Sequence, residues 1–229
     1  MHYAPRTIAF SAELLHPPTA PDPAPIQKLH NQMFGTGEPL YRSFTVTHQG
    51  AVLSNPVTRP GAVSSATFLA DRCQFREELT GLTVEEFAAR VIEVAEQVAV
   101  LRQLQLFLQQ KITVRTLMNP RSYKDSRTYL GQGMFGFTDE LEDFGRDPQL
   151  FGLRMVFPPK ADEPNAYTLK IESFHNDPRS LFIENVGGFG PVVAANGLNS
   201  IADNIASTYD FVVERALAFI ARFDLREEP

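Results

Sequence analysis

The sequence predicts an α+β fold in which a curved antiparallel sheet carries two long helices on one face. Two observations support this class. Several short segments alternate apolar and polar residues, and two long stretches, residues 81–98 and 197–216, place their apolar residues on one helical stripe. Each stripe needs an apolar surface to cover, and one sheet face can serve both. Because such a helix follows a run of strands twice, we expect a duplicated β-α-β-β-β-α unit, residues 1–110 and then 111–229, packed together as one compact domain.

The first half opens with a strand at residues 7–15, TIAFSAELL, where apolar and polar residues alternate. Five prolines between residues 17 and 25 exclude regular hydrogen-bonded structure and predict a stiff loop. The following IQKLHNQMFG has the apolar spacing of a short helix that ends at Gly35. LYRSFTVTH and AVLSN predict a hairpin that turns at Gly50, and SATFLADRCQFREEL is rich in strand-forming residues.

The first long helix begins at a predicted capping box, in which Thr83 and Glu86 hydrogen-bond each other's backbone. Its apolar stripe is Val84, Ala88, Val91, Ala95 and Val98. The apolar residues of LRQLQLFLQQ extend the predicted helix to as many as 28 residues, which is long enough to cross a whole sheet.

The second half begins with the alternating strand KITVRTL. Residues 119–148 are the least regular part of the chain, with four glycines around a short predicted helix at TDELEDF. LFGLRMVF and AYTLKIES predict a second hairpin, and LFIENV is its neighbour. GGFGPVVAAN then leads into the last long helix, whose predicted apolar stripe is Leu198, Ile201, Ile205, Tyr209, Val212, Ala216 and Phe219.

The composition, 43% hydrophobic and 21% charged, is that of an ordinary soluble globular protein. Since the net charge is −6 and neither half is basic, nucleic acid is not an expected partner. The single cysteine, Cys73, excludes an intrachain disulfide and favours a reduced, cytoplasmic location. No segment approaches the roughly 18 apolar residues of a membrane span, so no membrane association is expected.

Several segments together are similar to a family of uncharacterised conserved bacterial proteins. They are ATFLADRCQF, GLTVEEFAARV, KITVRTLMNPR, and LFIENV followed by a helix that ends in FIARFD. The chain departs from that pattern in its proline-rich residues 17–25 and in having no tryptophan. The resemblance implies the strand and long-helix plan, which the saddle of the TATA-binding protein and helix-grip folds share. It implies no reaction and supplies no catalytic residue.

No sequence motif for catalysis, a cofactor or a metal is found, so we predict no catalytic residue, no cofactor and no metal site. The close-set glycines of GTGEPL, LGQGMFGF and VGGFGPVV match neither nucleotide-binding pattern, G-x-G-x-x-G or G-x-x-x-x-G-K-S/T. The five histidines are scattered and form no pair at metal-ligand spacing. Cys73 lies in a strand-like stretch, where a lone cysteine is more often a buried hydrophobe than a nucleophile.

The better candidate is the polar side of the sheet. If the apolar side chains of each strand face the helices, the opposite side carries hydroxyl and charged residues: Ser43, Thr45, Thr47, Arg115, Arg154, Lys170, Glu13 and Glu172. Such a face can be simply solvated, form a dimer interface or bind a partner. A second set of basic and aromatic residues, in the 119–148 segment beside it, suits acidic or stacked ligands: Arg121, Tyr123, Lys124, Arg127 and Tyr129.

We therefore predict a non-enzymatic binding or interaction protein, a homo-oligomer or one with a protein partner, that uses the open sheet face or the 119–148 segment. One alternative is a helix-grip protein that binds a small molecule, or acts on it as an enzyme, in an enclosed cavity above roughly 300 Å³ between helix and sheet. A second alternative is a saddle-type nucleic-acid binder, which requires apolar wedges on the exposed face. Exposure of Phe10, Phe44 and Phe157 there would favour it.

Overall fold

The computed structural model describes residues 3, 5–35 and 37–224. It confirms an α+β fold with a large antiparallel sheet. The strands are β1 (Arg6–Leu15), β2 (Ser43–Val46), β3 (Ala51–Ser54), β4 (Val63–Phe68), β5 (Arg72–Glu78), β6 (Leu106–Phe107), β7 (Gln109–Met118), β8 (Gly152–Phe157), β9 (Ala166–Ser173), β10 (Leu181–Phe189) and β11 (Val192–Val193). Nine of them form one sheet in the order β2-β3-β4-β5-β1-β7-β10-β9-β8, while β6 pairs with β11.

The helices lie between these strands and at the C-terminal end of the described chain. They are α1 (Ala24–Gly35), α2 (Val84–Leu101), α3 (Ser126–Thr128), α4 (Asn199–Asp210) and α5 (Leu217–Ala221). A π-helical turn, Tyr129–Met134, continues α3, and a second, Phe211–Ala216, joins α4 to α5. Two short 3-10 turns are Glu142–Phe144, within the predicted TDELEDF helix, and Ala194–Asn196.

Alternation along the strands decides which face of the sheet is buried. Ala12 of β1 pairs with Phe75 of β5 on one side and Ile112 of β7 on the other, and all three side chains are fully buried. Because directly paired residues point to the same side, such inward rows run across the sheet and form one continuous core with the helices. The other side is the open face predicted from the sequence.

The helix α2 starts as predicted. The Thr83 side chain accepts a hydrogen bond from the Glu86 amide, and the Glu86 carboxylate accepts one from the Thr83 amide at 2.8 Å. The predicted stripe turns Val91, Ala95 and Val98 into the core. This reciprocal cap fixes the first turn, and burial of the stripe stabilises the rest of the helix.

The extension of α2 through LRQLQLFLQQ is wrong, since the helix ends at Leu101 after 18 residues. Gln103 adopts a positive φ of 55°, which ends the helical path. The Arg102 guanidinium donates to the Leu69 carbonyl at 2.9 Å and holds this end against the β4–β5 turn. After Gln103 the apolar and polar residues alternate as in a strand, and the chain forms β6 and β7 where the helix was expected to continue.

The C-terminal helical segment runs from residue 199 to residue 221 and contains the π-helical turn. Before that turn, the Asn185 amide of β10 donates to the Thr208 carbonyl at 2.9 Å. An ideal Cβ placed on Gly187 would lie 2.6 Å from the Thr208 hydroxyl oxygen, so α4 packs against β10 at a distance that only glycine permits.

Two expectations about the fold are not confirmed. Among the described residues, only the C-terminal segment reaches 23 residues, whereas α2 has 18, so the two long helices are not confirmed. The duplicated unit is not established either, because the helix that follows the first strand has 12 residues in the first half (α1) and only three in the second half (α3). Within residues 5–35 and 37–224, no helix is both long and apolar enough to cross a membrane.

Candidate functional site

The first candidate surface is the open face of the sheet, where Arg115, Lys170 and Arg154 lie as predicted. Direct pairing aligns Arg115, Glu184, Lys170 and Arg154 across β7, β10, β9 and β8. Glu184 accepts a hydrogen bond from Arg115 at 2.7 Å, and Lys170 pairs with Glu172 at 2.8 Å. Arg115 and Glu184 of this row therefore neutralise each other across neighbouring strands, whereas Lys170 pairs with Glu172 of its own strand.

The charge on this face is not balanced. The described strands place seven basic and four acidic side chains on it: Arg6, Arg72, Arg76, Lys111, Arg115, Arg154 and Lys170, and Glu13, Glu78, Glu172 and Glu184. Arg154, on the last strand, is exposed and has no ion pair with any described residue. The open face is thus basic in a protein of net charge −6, and its two basic residues without an ion pair to a described residue are Arg6, at the start of β1, and Arg154, at the β8 edge.

The start of the 119–148 segment is tied to the C-terminal end of the described chain. The buried Asp224 carboxylate accepts hydrogen bonds from the backbone amides of Arg121 and Ser122, at 2.8 and 2.9 Å respectively. It also accepts one from the Tyr3 hydroxyl at 2.5 Å, and burial together with this carboxylate raises the pKa of Tyr3. These bonds hold the start of the segment against the C-terminal end of the described chain.

Two predicted surface tyrosines belong instead to the helix side. Tyr129 is fully buried, and its hydroxyl donates to the Ile220 carbonyl at 2.8 Å. The Tyr123 ring packs edge-on against it, with centroids 5.6 Å apart. Tyr129 is therefore a core residue that no surface ligand can reach, because its hydroxyl completes a buried hydrogen bond instead of facing solvent.

Arg127 and Lys124 line a separate open cavity of about 750 Å³ within the 124–151 segment. Arg146 adds a third basic group, but three acidic residues line the same space: Asp125, Glu142 and Asp147. The Asp125 side chain already caps α3 by accepting from the Thr128 amide at 2.7 Å. This cavity is balanced in charge and offers no preference for an ionic ligand.

A second cavity, which the sequence did not indicate, lies on the helix side of the sheet at β8. It is a groove of about 460 Å³ between β8, β9 and the helical residues 211–219. We call it the edge groove; its apolar walls are Met155, Phe157, Pro158, Tyr167, Leu169, Phe211, Ala216 and Phe219. The helices cover β7 and β10 closely but leave the apolar side of β8 partly open, since Phe157 remains 37% exposed.

Aromatic contacts shape the floor of the edge groove. The Phe211 ring stacks on Tyr167 with centroids 4.4 Å apart, and the Phe157 ring meets Phe211 edge-on at 5.2 Å. Phe211 is the first residue of the second π-helical turn, and such turns occur frequently at functional sites. A flat apolar group entering the groove would meet ring faces and edges that are already fixed by one another.

The rim of the edge groove is charged. Arg215 pairs with Glu163 at 3.1 Å and lies over the Phe211 ring, and Lys160 approaches the same carboxylate at 3.8 Å. Two cations therefore share one carboxylate, which leaves the rim with an excess positive charge. Burial, and secondarily Glu163, raises the pKa of Tyr167, so its hydroxyl is neutral at physiological pH.

The backbone of β8 is also available. This strand is the last of the sheet and pairs only with β9 among the described residues. The Ser173 amide donates to the Phe151 carbonyl, so by the alternation of antiparallel ladders Leu153, Met155 and Phe157 bond toward β9. The amides and carbonyls of the residues between them, such as Arg154 and Val156, consequently face outward.

The buried polar side chains outside these surfaces are enclosed by the protein. Burial raises the pKa of the Cys73 thiol to about 12, which makes it a poor nucleophile. Burial lowers the pKa of His16, whose Nδ1 lies 2.8 Å from the Pro17 carbonyl. Glu77 pairs with Arg90 at 2.6 Å beneath α2. Among the described residues, no three histidine, cysteine or acidic side chains form a metal-binding group.

The phenylalanines that a saddle-type nucleic-acid binder needs on its open face are on the other side. Phe10 is buried and stacks on Phe87 of α2, with centroids 5.3 Å apart. Phe44 packs against the core, and Phe157 faces the edge groove. The apolar wedges of that alternative are absent from these three positions.

Comparison with known proteins adds no assignment. No protein-family model matches the chain. The search of curated proteins gives no match either.

Proposed function

We propose that the protein is a non-enzymatic binding protein whose ligand enters the edge groove. The observation that carries this proposal is a groove of about 460 Å³ with fixed aromatic walls, placed where the helices leave the sheet uncovered. Its volume falls within the range of small-ligand sites, and a mostly apolar lining with a few polar groups is typical of them. This is the helix-grip alternative of the sequence analysis, with an open groove in place of an enclosed cavity.

The rim supports an acidic group on the ligand. Arg215 and Lys160 share only Glu163, so an incoming carboxylate or sulfonate would complete the pairing. The apolar and aromatic side chains of the walls would pack against the rest of the ligand and remove its apolar surface from water. The proposed ligand class is therefore an apolar, preferably aromatic, group that carries a negative charge.

Titration with anilinonaphthalene sulfonate, a fluorescent aromatic anion, tests the proposal. We expect saturable binding at one site, weakened at least about tenfold by Lys160→Glu with Arg215→Glu and abolished by Met155→Trp, which fills the groove. Arg222→Glu with Lys28→Glu is the matched control, because it makes the same charge change at exposed positions outside the groove. The proposal is wrong if the wild type shows no saturable binding, or if the control variant weakens binding as much as the groove variant does.

The open face is a second candidate, as an interface with a protein partner or a second copy. It is favoured by its excess of basic side chains and by the exposed, unpaired Arg154. Native mass spectrometry of the wild type and of Arg154→Glu tests it. We expect an assembly whose mass exceeds one chain and which the variant loses; a wild-type monomer would contradict an interface between copies.

The duplicated architecture also remains a proposal. In its support, β1 and β7, the first long strand of each half, pair at the middle of the sheet. Each has the last long strand of its own half on its outer side, β5 and β10 respectively. We also propose, from the sequence, that the chain is related to the conserved bacterial proteins it resembles and that it is cytoplasmic.

A further inference from the structure

We infer that the occupant of the edge groove is an extended segment of a partner protein that adds to β8 as an antiparallel strand and alternates apolar with acidic residues. This inference rests on the proposed function, because it names the ligand of the same groove. Three features of the described residues carry it: the free backbone of β8, the groove on one side of that strand and the unpaired positive charge on the other.

The first feature is the outward-facing backbone. The amide and carbonyl groups of Gly152, Arg154 and Val156 point away from β9, and all three residues are exposed. An added strand would satisfy these groups with main-chain hydrogen bonds, which is the usual source of affinity in strand addition. All strand pairs of the described sheet are antiparallel, so we assign antiparallel pairing to the partner strand as well.

The second feature is the groove, which distinguishes the β8 edge of the sheet from the β2 edge. The other edge strand, β2, has only four residues, and α1 packs beside it, with His30 of α1 against Phe44. β8 has six residues and carries the exposed apolar Val156 and Phe157. Short or covered edges discourage pairing, whereas a longer exposed apolar edge permits it. Only the β8 edge combines available backbone with a groove.

The third feature sets the sequence pattern of the partner. On an added strand, residues opposite Met155 and Phe157 project over the edge groove and should be apolar. Residues opposite Arg154 project over the open face, beside Lys170, and should be acidic. Arg154 is also the reason against a second copy of this chain, because self-pairing of β8 about this position would oppose two arginines and no acidic residue of β8 could compensate.

Isothermal titration calorimetry with a synthetic peptide tests the inference. The probe is a capped seven-residue peptide that alternates glutamate with valine and phenylalanine, and its control replaces every glutamate by lysine. We expect saturable binding of the acidic peptide, at least about tenfold weaker binding of the lysine peptide, and a reversed preference in Arg154→Glu. Equal binding of the two peptides by the wild type would overturn the proposed pattern.

Backbone methylation tests strand addition without changing the protein. In antiparallel pairing the acidic residues direct their amides toward β8, whereas the apolar residues direct theirs to solvent. N-methylation of the glutamates should abolish binding, and N-methylation of the apolar residues should weaken it less than about threefold. Equal loss from the two peptides would contradict a strand added to β8.

The matching change in the protein is Val156→Pro, compared with Val156→Thr. Proline removes an amide that faces outward and is tolerated on an edge strand, while threonine keeps the amide. Native circular dichroism of both variants establishes their fold. Loss of peptide binding in the proline variant alone supports the inference, and retention in both overturns it. If the wild type binds anilinonaphthalene sulfonate but no peptide, strand addition to β8 is wrong and ligand binding in the edge groove still holds. If the wild type binds neither, both proposals are wrong.

Discussion

The two faces of the sheet are made by the same strands, yet they place charge in different surroundings. On the helix side, Glu77 is 1% exposed, and its ion pair with Arg90 measures 2.6 Å. On the open face, Glu184 makes a pair of nearly the same length with Arg115, at 2.7 Å, but both side chains meet solvent. The comparison teaches that distance alone does not set the value of an ion pair, because the solvent around it decides what breaking it costs.

The largest expected contrast is between two neighbouring residues of β5. Phe75 is fully buried between the sheet and the helices, so Phe75→Ala should lower the free energy of unfolding by about 3–5 kcal/mol through the cavity it leaves. Gln74, on the open face, should change it by less than about 0.5 kcal/mol when replaced by alanine. Urea denaturation measures both; similar losses would mean that the open face is also packed.

The buried ion pair should come next. Arg90→Met leaves the Glu77 carboxylate buried without its cation, and we expect a loss of about 3 kcal/mol. One oxygen of Glu77 already lacks a hydrogen-bond partner among the described residues, so the protein has no spare donor to offer. Adding Glu77→Leu should recover most of the loss in the same urea experiment. If the double variant is no better than the single one, repulsion from an unpaired charge is not the cause.

Two adjacent glycines of β10 give a smaller contrast. A Cβ at Gly187 would lie 2.6 Å from Thr208 and from the Phe189 ring, and we expect Gly187→Ala to destabilise by about 1–3 kcal/mol. Gly188 points to the open face, where the nearest atom would be 3.9 Å away, so Gly188→Ala should be neutral or slightly stabilising. Thermal unfolding compares the pair. Equal shifts in Tm would show that α4 is not held at its close distance to β10.

The smallest effect belongs to the open-face ion pair. Glu184→Gln should cost no more than about 1 kcal/mol, because Arg115 is 40% exposed and water replaces its partner. The difference from wild type should shrink further in 1 M salt, at which charges on a wet surface are screened. Urea denaturation at low and high salt tests this. A loss as large as that of Arg90→Met would erase the distinction between the two faces.

Features encoded within a few residues were predictable from the sequence. The capping box of Thr83 and Glu86 and the inward parity of Phe10, Ala12 and Leu14 depend on spacing along one element, and all of them are found. The end of α2 was not, because LRQLQLFLQQ contains both a helical and a strand-like spacing. Contacts such as the hydrogen bond from Arg102 to the Leu69 carbonyl favour the strand conformation after residue 102. Such contacts join residues that are distant in sequence.

The edge groove could not be predicted for the same physical reason. Phe157 was expected to face inward, the predicted apolar stripe of the last helix did not include Phe211, and nothing in the sequence says that helical cover ends before β8. Tyr129 shows the opposite error: a basic and aromatic segment suggested a surface, whereas its hydroxyl reaches a carbonyl 91 residues away in sequence. Positions of whole elements, and not local patterns, decide both.

The burial of Cys73 has a practical consequence. It is the only cysteine of the chain and it is fully enclosed, so reagents that modify thiols should leave the folded protein untouched. A single cysteine introduced at an exposed position, such as Val156→Cys, would then be the sole site for a spin label or fluorophore. The natural sequence therefore already provides the unreactive background that site-directed labelling normally has to create by mutation.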